Sequence, residues 1–166
     1  MTDSDELADL AVGVHERLAE LSATVAAAES LTGGLLGATL TQMPGASRTF
    51  RGGVVAYATD LKGSLLGVPP PLLAAEGAVS AQVAAAMAGG VRDRLAATYG
   101  VALTGVAGPD PQDGHPPGTV FVGVAGPDKG GVRAVQLSGD RHTIRLEAVR
   151  AAIELLRDLL DGRRLH

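Results

Sequence analysis

The chain has 166 residues, 46% hydrophobic but only 2% aromatic, with a formal net charge of -4 and no cysteine. This length suits one domain over residues 1 to 166, with a core packed by Ala, Val, Leu and Ile instead of rings. Without cysteine there are no disulfides, thiolate nucleophiles or zinc knuckles, and with few aromatics and no basic block neither single-stranded nor duplex nucleic acid is an expected ligand.

The N-terminal MTDSDELADL is acidic and lacks a signal pattern, and no apolar run approaches the roughly 18 residues of a membrane span. A cytoplasmic protein with no membrane partner is expected. His15, His115, His142 and His166 show no ligand spacing, so no metal is expected.

Leu7, Leu10, Val14, Leu18 and Leu21 recur at helical spacing and predict an amphipathic helix over 4–21. The short apolar run 24–28 predicts a strand buried on both faces, as do 54–58 and 101–105. Between the first two, 33–43 reads as a helix closed by Pro44 and Gly45. Between the second and third come a short helix near 60–67, a turn at three prolines, and a longer helix. Ser80 opens that helix, Val83, Met87, Val91 and Leu95 form its buried stripe, and Gly100 is its expected stop.

The order strand, helix, strand, helix, strand implies parallel pairing with right-handed crossovers. From Val106 to Gly118 the chain is a loop of Gly, Pro and Asp, too poor in apolar residues for a crossover helix. The strand at 119–125 must therefore return antiparallel to the third. The turn 126–131 and strand 132–138 complete a hairpin, and a final helix carries Ile144, Ala148, Ala151, Leu155 and Leu159 on one face.

In such a sheet ligands bind beyond the carboxyl ends of the strands, where the strand order reverses. With the first strand between the second and third, Glu29, Ser30, Tyr57, Lys62, Thr104 and Gly105 all arrive at that edge. The loop holding Gly108 lies over it, and Arg141 and Arg145 reach it from the start of the last helix. Taken singly these residues have plainer readings: a tight Gly-Gly turn, a serine helix cap, a solvated lysine, a core tyrosine. Their convergence from distant segments is what marks a site.

Ser30 at a strand-to-helix junction can be a nucleophile if its proton is taken, and Lys62 is the candidate base, with Tyr57 placed to relay the proton or align the pair. The N–H groups of Thr32, Gly33 and Gly34 suit either an oxyanion or a phosphate. Thr104 and the glycine-rich loop suit a sugar or phosphate, and Arg145 an anion. On the residues alone, hydrolysis by Ser30 and Lys62 and a non-catalytic nucleotide-binding or regulatory role both stand.

The segments AESLTGG, GGVVAYATDLKGSLLGV, ALTGVAGPD with PPGTVFVGV, and SGDRHTIR resemble, in order and spacing, the CinA C-terminal domain family. The resemblance runs from about Leu7 to Leu160. It implies a three-layer α/β/α fold whose five-stranded mixed sheet has the order 2-1-3-4-5 with strand 4 antiparallel. For free-standing members it implies hydrolysis of the carboxamide of nicotinamide mononucleotide to nicotinate mononucleotide and ammonia, in NAD recycling and without a cofactor. By motif, Ser30 is then the nucleophile, Lys62 its base and Tyr57 an assistant. Glu29, Thr32, Gly33, Gly34, Thr104, Gly105, Gly108, Arg141 and Arg145 are the substrate contacts. Leu31 stands where the family often has cysteine, a position outside this chemistry. The partner expected is a small-molecule nucleotide, and the high apolar content is compatible with a homodimer.

Overall fold

The computed structural model describes Asp3 to His166. Helix α1 (Asp3–Glu20) buries Leu7, Ala11, Val14 and Leu18 along one stripe and carries Asp3, Asp5 and Glu6 in its first turn, where the helix dipole favours negative charge. Strand β1 (Val25–Glu29) follows, then α2 (Leu35–Thr41), β2 (Phe50–Val55), α3 (Thr59–Leu66), α4 (Pro70–Glu76) and α5 (Ala81–Arg94). Strands β3 (Tyr99–Gly105), β4 (Thr119–Ala125) and β5 (Gly130–Gln136) lead into α6 (Arg141–Leu160).

The five strands form one sheet in the order β2-β1-β3-β4-β5. Strand β1 pairs parallel with β2 and β3, and β4 pairs antiparallel with β3 and β5, so β5 runs with the first three. One face is covered by α1, α2 and α6, which share a core with Val25, Ala27, Val101, Leu103, Val120 and Val122. Leu66 of α3 and Val83, Met87 and Val91 of α5 pack with Ala26, Ala28 and Ala102 on the other face, and Leu72 and Leu73 of α4 lie against them. This is the expected three-layer α/β/α architecture. No helix among the described residues is long and apolar enough to cross a membrane.

Several elements depart from expectation. The second strand was placed at 54–58 and buried on both faces, but it spans Phe50–Val55 and alternates between half-buried and exposed residues because it is a sheet edge. Tyr57 therefore lies beyond the strand, in the connection to α3. The triple proline is not only a turn: Pro70 opens α4, where a missing N–H costs nothing. The longer helix stops well before Gly100, which belongs to β3; Ala96 takes the left-handed position with φ 51, and Ala97 N–H bonds back to Arg92 O at 2.9 Å. Strand β5 ends at Gln136, which leaves Ser138 in the connection to α6.

Candidate active site

Ser30 follows β1 directly and begins the turn into α2. Gly33 N–H bonds to Ser30 O at 3.0 Å, and Leu35 N–H to Thr32 O at 3.0 Å. This tight reversal needs left-handed backbone at Gly33 (φ 57) and Gly34 (φ 103), which a side chain would strain. Gly34 occupies the cap position of α2 without a capping side chain of its own. Glu29 does that work from the end of β1: Oε1 accepts from Gly34 N at 3.2 Å and Leu36 N at 2.8 Å, and Oε2 from Gly37 N at 3.0 Å. A carboxylate only 2% exposed is thus held by three N–H donors at the positive end of the helix.

Lys62 lies on α3 and is 1% exposed, the largest side chain buried to that degree. Its Nζ donates to Ala56 O at 2.8 Å and stands 2.9 Å from Ser30 Oγ. Burial disfavours the ammonium and lowers the group from 10.5 to about 8, with the negative charge of Asp113 acting in the other direction. In the neutral form Nζ keeps its bond to Ala56 O and presents a lone pair to the serine hydroxyl.

Above this pair lies a pocket of about 390 Å3, bounded by Ser30, Leu31, Tyr57, the loop from Gly105 to Gln112, and Arg141. Ser30, though 8% exposed, is on its wall. Arg141 ties two other walls together, donating through Nη2 to Tyr57 Oη at 3.0 Å and through Nη1 to Gly108 O at 2.7 Å. It projects from the first turn of α6, which Asp140 caps by accepting from Thr143 N at 2.8 Å. That backbone bond is the main reason the Asp140 carboxyl is held below its usual value.

Not every residue read as a substrate contact reaches the pocket. Ser30, Tyr57, Gly105, Gly108 and Arg141 line it, and Lys62 meets it through Ser30. Glu29 is committed to α2. Thr104 donates its hydroxyl to Ala78 O at 2.6 Å and is buried away from the wall. Arg145 donates to Leu31 O at 3.1 Å and Thr32 O at 3.0 Å, bracing the turn from behind. Glu29 and Thr104 are corrections: a buried polar group takes its partners from the fold. Arg145, half-buried, stands off the pocket wall and spends Nε and Nη2 on the turn. The N–H groups of Gly33 and Gly34 are likewise engaged, by Ser30 O and Glu29, and the Thr32 side chain is fully buried. The N–H groups of Leu31 and Thr32 make no hydrogen bond to the described residues.

Asp113, the carbonyl of Ala56 and the pocket-lining Gln112 escaped sequence reasoning. A backbone carbonyl leaves no mark in sequence. Asp113 and Gly114 do, as an Asp-Gly pair: both have positive φ, and Gln112 and His115 exchange two backbone bonds across them, the signature of a two-residue hairpin turn.

Residues 7–160 match the model for the CinA C-terminal domain. A CinA-like protein of Frankia casuarinae is 57% identical over 158 residues, covering 95% of this chain and 36% of that protein. A CinA-like protein of Gloeobacter violaceus is 48% identical over 160 residues, covering 93% and 36%. The chain thus spans about a third of the length of these curated relatives. Among solved structures, the competence-damaged protein (CinA) superfamily protein of Escherichia coli superposes with a TM-score of 0.90 at 31% identity, covering 96% of this chain and 93% of that one. The competence/damage inducible protein CihA of Agrobacterium tumefaciens gives a TM-score of 0.90 at 34% identity, with 97% of each chain covered. With the match running almost end to end and the sheet order in agreement, the chain belongs to the CinA C-terminal domain family.

Proposed function

We propose that this chain is a serine amidohydrolase that converts nicotinamide mononucleotide to nicotinate mononucleotide and ammonia, the activity implied by the family resemblance. The observation that carries the proposal is the 2.9 Å contact between Ser30 Oγ and the buried amine of Lys62, at the wall of a pocket of nucleotide size. A serine hydroxyl is a weak nucleophile until a neighbouring base takes its proton, and a lysine near 8 supplies enough neutral amine to do so. A non-catalytic nucleotide-binding module would have no use for a desolvated lysine against a serine.

In this mechanism Ser30 Oγ attacks the carboxamide carbon as its proton passes to Lys62 Nζ. The carbonyl oxygen becomes an oxyanion, for which the N–H groups of Leu31 and Thr32 are the available donors. Collapse of the tetrahedral intermediate breaks the C–N bond, and the departing nitrogen takes the proton from Lys62 and leaves as ammonia. A water molecule then attacks the Ser30 ester, giving its proton to Lys62, and nicotinate mononucleotide is released as the serine is re-protonated. Arg141 is the cation on the pocket wall, placed for the anionic end of a mononucleotide.

The folded protein is expected to release ammonia and nicotinate mononucleotide in equal amounts from nicotinamide mononucleotide. A folded protein that binds the nucleotide without releasing ammonia would leave a binding module instead. The base must be neutral to accept a proton, so kcat/KM should fall about tenfold per pH unit below about 8 and level off above it. A profile flat from about pH 6 to about pH 9 would remove Lys62 from the role of base.

A further inference from the structure

We infer that Asp110 is a specificity-determining residue, whose carboxylate recognises the positive charge of the pyridinium ring while Arg141 takes the anionic end of the same nucleotide. This deepens the amidohydrolase reading of the site and rests on it for the identity of the ligand.

Asp110 and Arg141 are the two charged residues that bound the pocket. The guanidinium donates to Gly108 O and Tyr57 Oη, not to this carboxylate, so the wall offers one charge of each sign. The local sequence explains why Asp110 is left free. An aspartate in a loop ordinarily accepts from a backbone N–H just after it, most often two residues on. Here the next residue, Pro111, has no N–H, and that of Gln112 is taken by His115 O at 3.1 Å. Glu29, Asp113 and Asp140 spend their carboxylates on backbone N–H groups of the fold. Asp110 makes no hydrogen bond or ion pair with the described residues.

On a loose loop tip such a group would be an ordinary solvated charge. Asp110 instead stands between Pro109 and Pro111, which fix the backbone on either side and disfavour helical backbone at Asp110 itself. The segment is also pinned at both ends, by Arg141 Nη1 to Gly108 O at 2.7 Å and by Ala78 N to Asp113 Oδ2 at 2.9 Å. A charge held this way binds a ligand with little cost of ordering. Nicotinamide mononucleotide has the matching pattern, a cationic ring and an anionic phosphate. With its carboxamide at Ser30, the ring enters the pocket that Asp110 bounds. Deamidation then places a carboxylate on that ring, so the ring end of the product carries no net charge and loses the attraction. Asp110 thereby favours capture of substrate over retention of product.

The test measures binding by calorimetry in the Ser30→Ala protein, where no turnover intervenes, with and without Asp110→Asn. The probes are nicotinamide mononucleotide and its reduced form, which has the same carboxamide, ribose and phosphate but an uncharged dihydropyridine ring. Asp110→Asn should raise Kd for the oxidised nucleotide about five- to tenfold and leave Kd for the reduced one within about twofold. Kd for nicotinate mononucleotide should also stay within about twofold. Equal weakening of both ring forms would make Asp110 a structural part of the loop, and no weakening of either would make it a solvated charge; each result would overturn the proposal. Ammonia release by the protein with Ser30 intact decides the amidohydrolase reading separately. Charge discrimination lost in Asp110→Asn, without ammonia release from wild type, would keep Asp110 in this role and discard the hydrolase.

Discussion

Lys62→Met is expected to lower kcat/KM for deamidation of nicotinamide mononucleotide by at least about 1,000-fold while leaving the protein folded. Methionine keeps most of the buried apolar stem and removes only the amine that faces Ser30 Oγ. The stability of this variant is a second, independent signature. Burial lowers the lysine from 10.5 to about 8, so between those values the unfolded chain holds a proton that the folded chain has released. The sign follows: wild-type stability rises with pH across that window, and below about 8 the full penalty applies, about 3 kcal/mol for a shift of this size. The methionine variant lacks the penalty but leaves Ala56 O without its donor, a loss of about 1–3 kcal/mol. At pH 7 the two proteins should therefore lie within about 2 kcal/mol of each other. From about pH 8 to 10.5 wild type should gain about 3 kcal/mol relative to the variant in urea unfolding. Parallel pH dependences would mean that the amine does not titrate in this window.

Glu29→Gln is expected to cost about 2–4 kcal/mol of stability, because the carboxylate accepts from three backbone N–H groups and the amide can offer only one oxygen. Its NH2 would face one of those donors in a site with almost no access to water. For a domain of this size the loss corresponds to a fall in Tm of roughly 5 to 15 °C. Activity should fall as well, since the same contact fixes the turn that carries Ser30. A change in unfolding free energy below about 1 kcal/mol would show that α2 finds its cap elsewhere.

The meeting of Ser30 with Lys62 is legible in sequence because topology decides it. Parallel strands joined by helices bring all their carboxyl ends to one edge, and the switch to a hairpin after β3 carries the Val106–Gly118 loop back over it. What each polar group does there is less legible. A glutamate before a serine and two glycines reads equally as a substrate contact or a helix cap, and only the observed reach of Glu29 to Gly34, Leu36 and Gly37 decides for the cap. Thr104 differs from its reading for the same reason: a hydroxyl beside a site satisfies a backbone carbonyl first, and sequence does not reveal where that carbonyl points. Strand β2 was displaced because its first residues, Phe50 to Gly53, contain two glycines and look unlike a strand, although the pairing of Ala26 with Gly52 and Ala27 with Gly53 places them in the sheet. The end of α5 was missed because alanine took a conformation usually left to glycine.

The claim that Ser30 is the attacking group is tested most directly by comparing ammonia release from nicotinamide mononucleotide by metal-stripped wild type and Ser30→Ala. Wild type should turn over, and Ser30→Ala, with an unchanged Tm, should lose at least about 1,000-fold in kcat. Ammonia release by Ser30→Ala at a rate near wild type would mean that water attacks the carboxamide directly, and would contradict a mechanism through a serine ester.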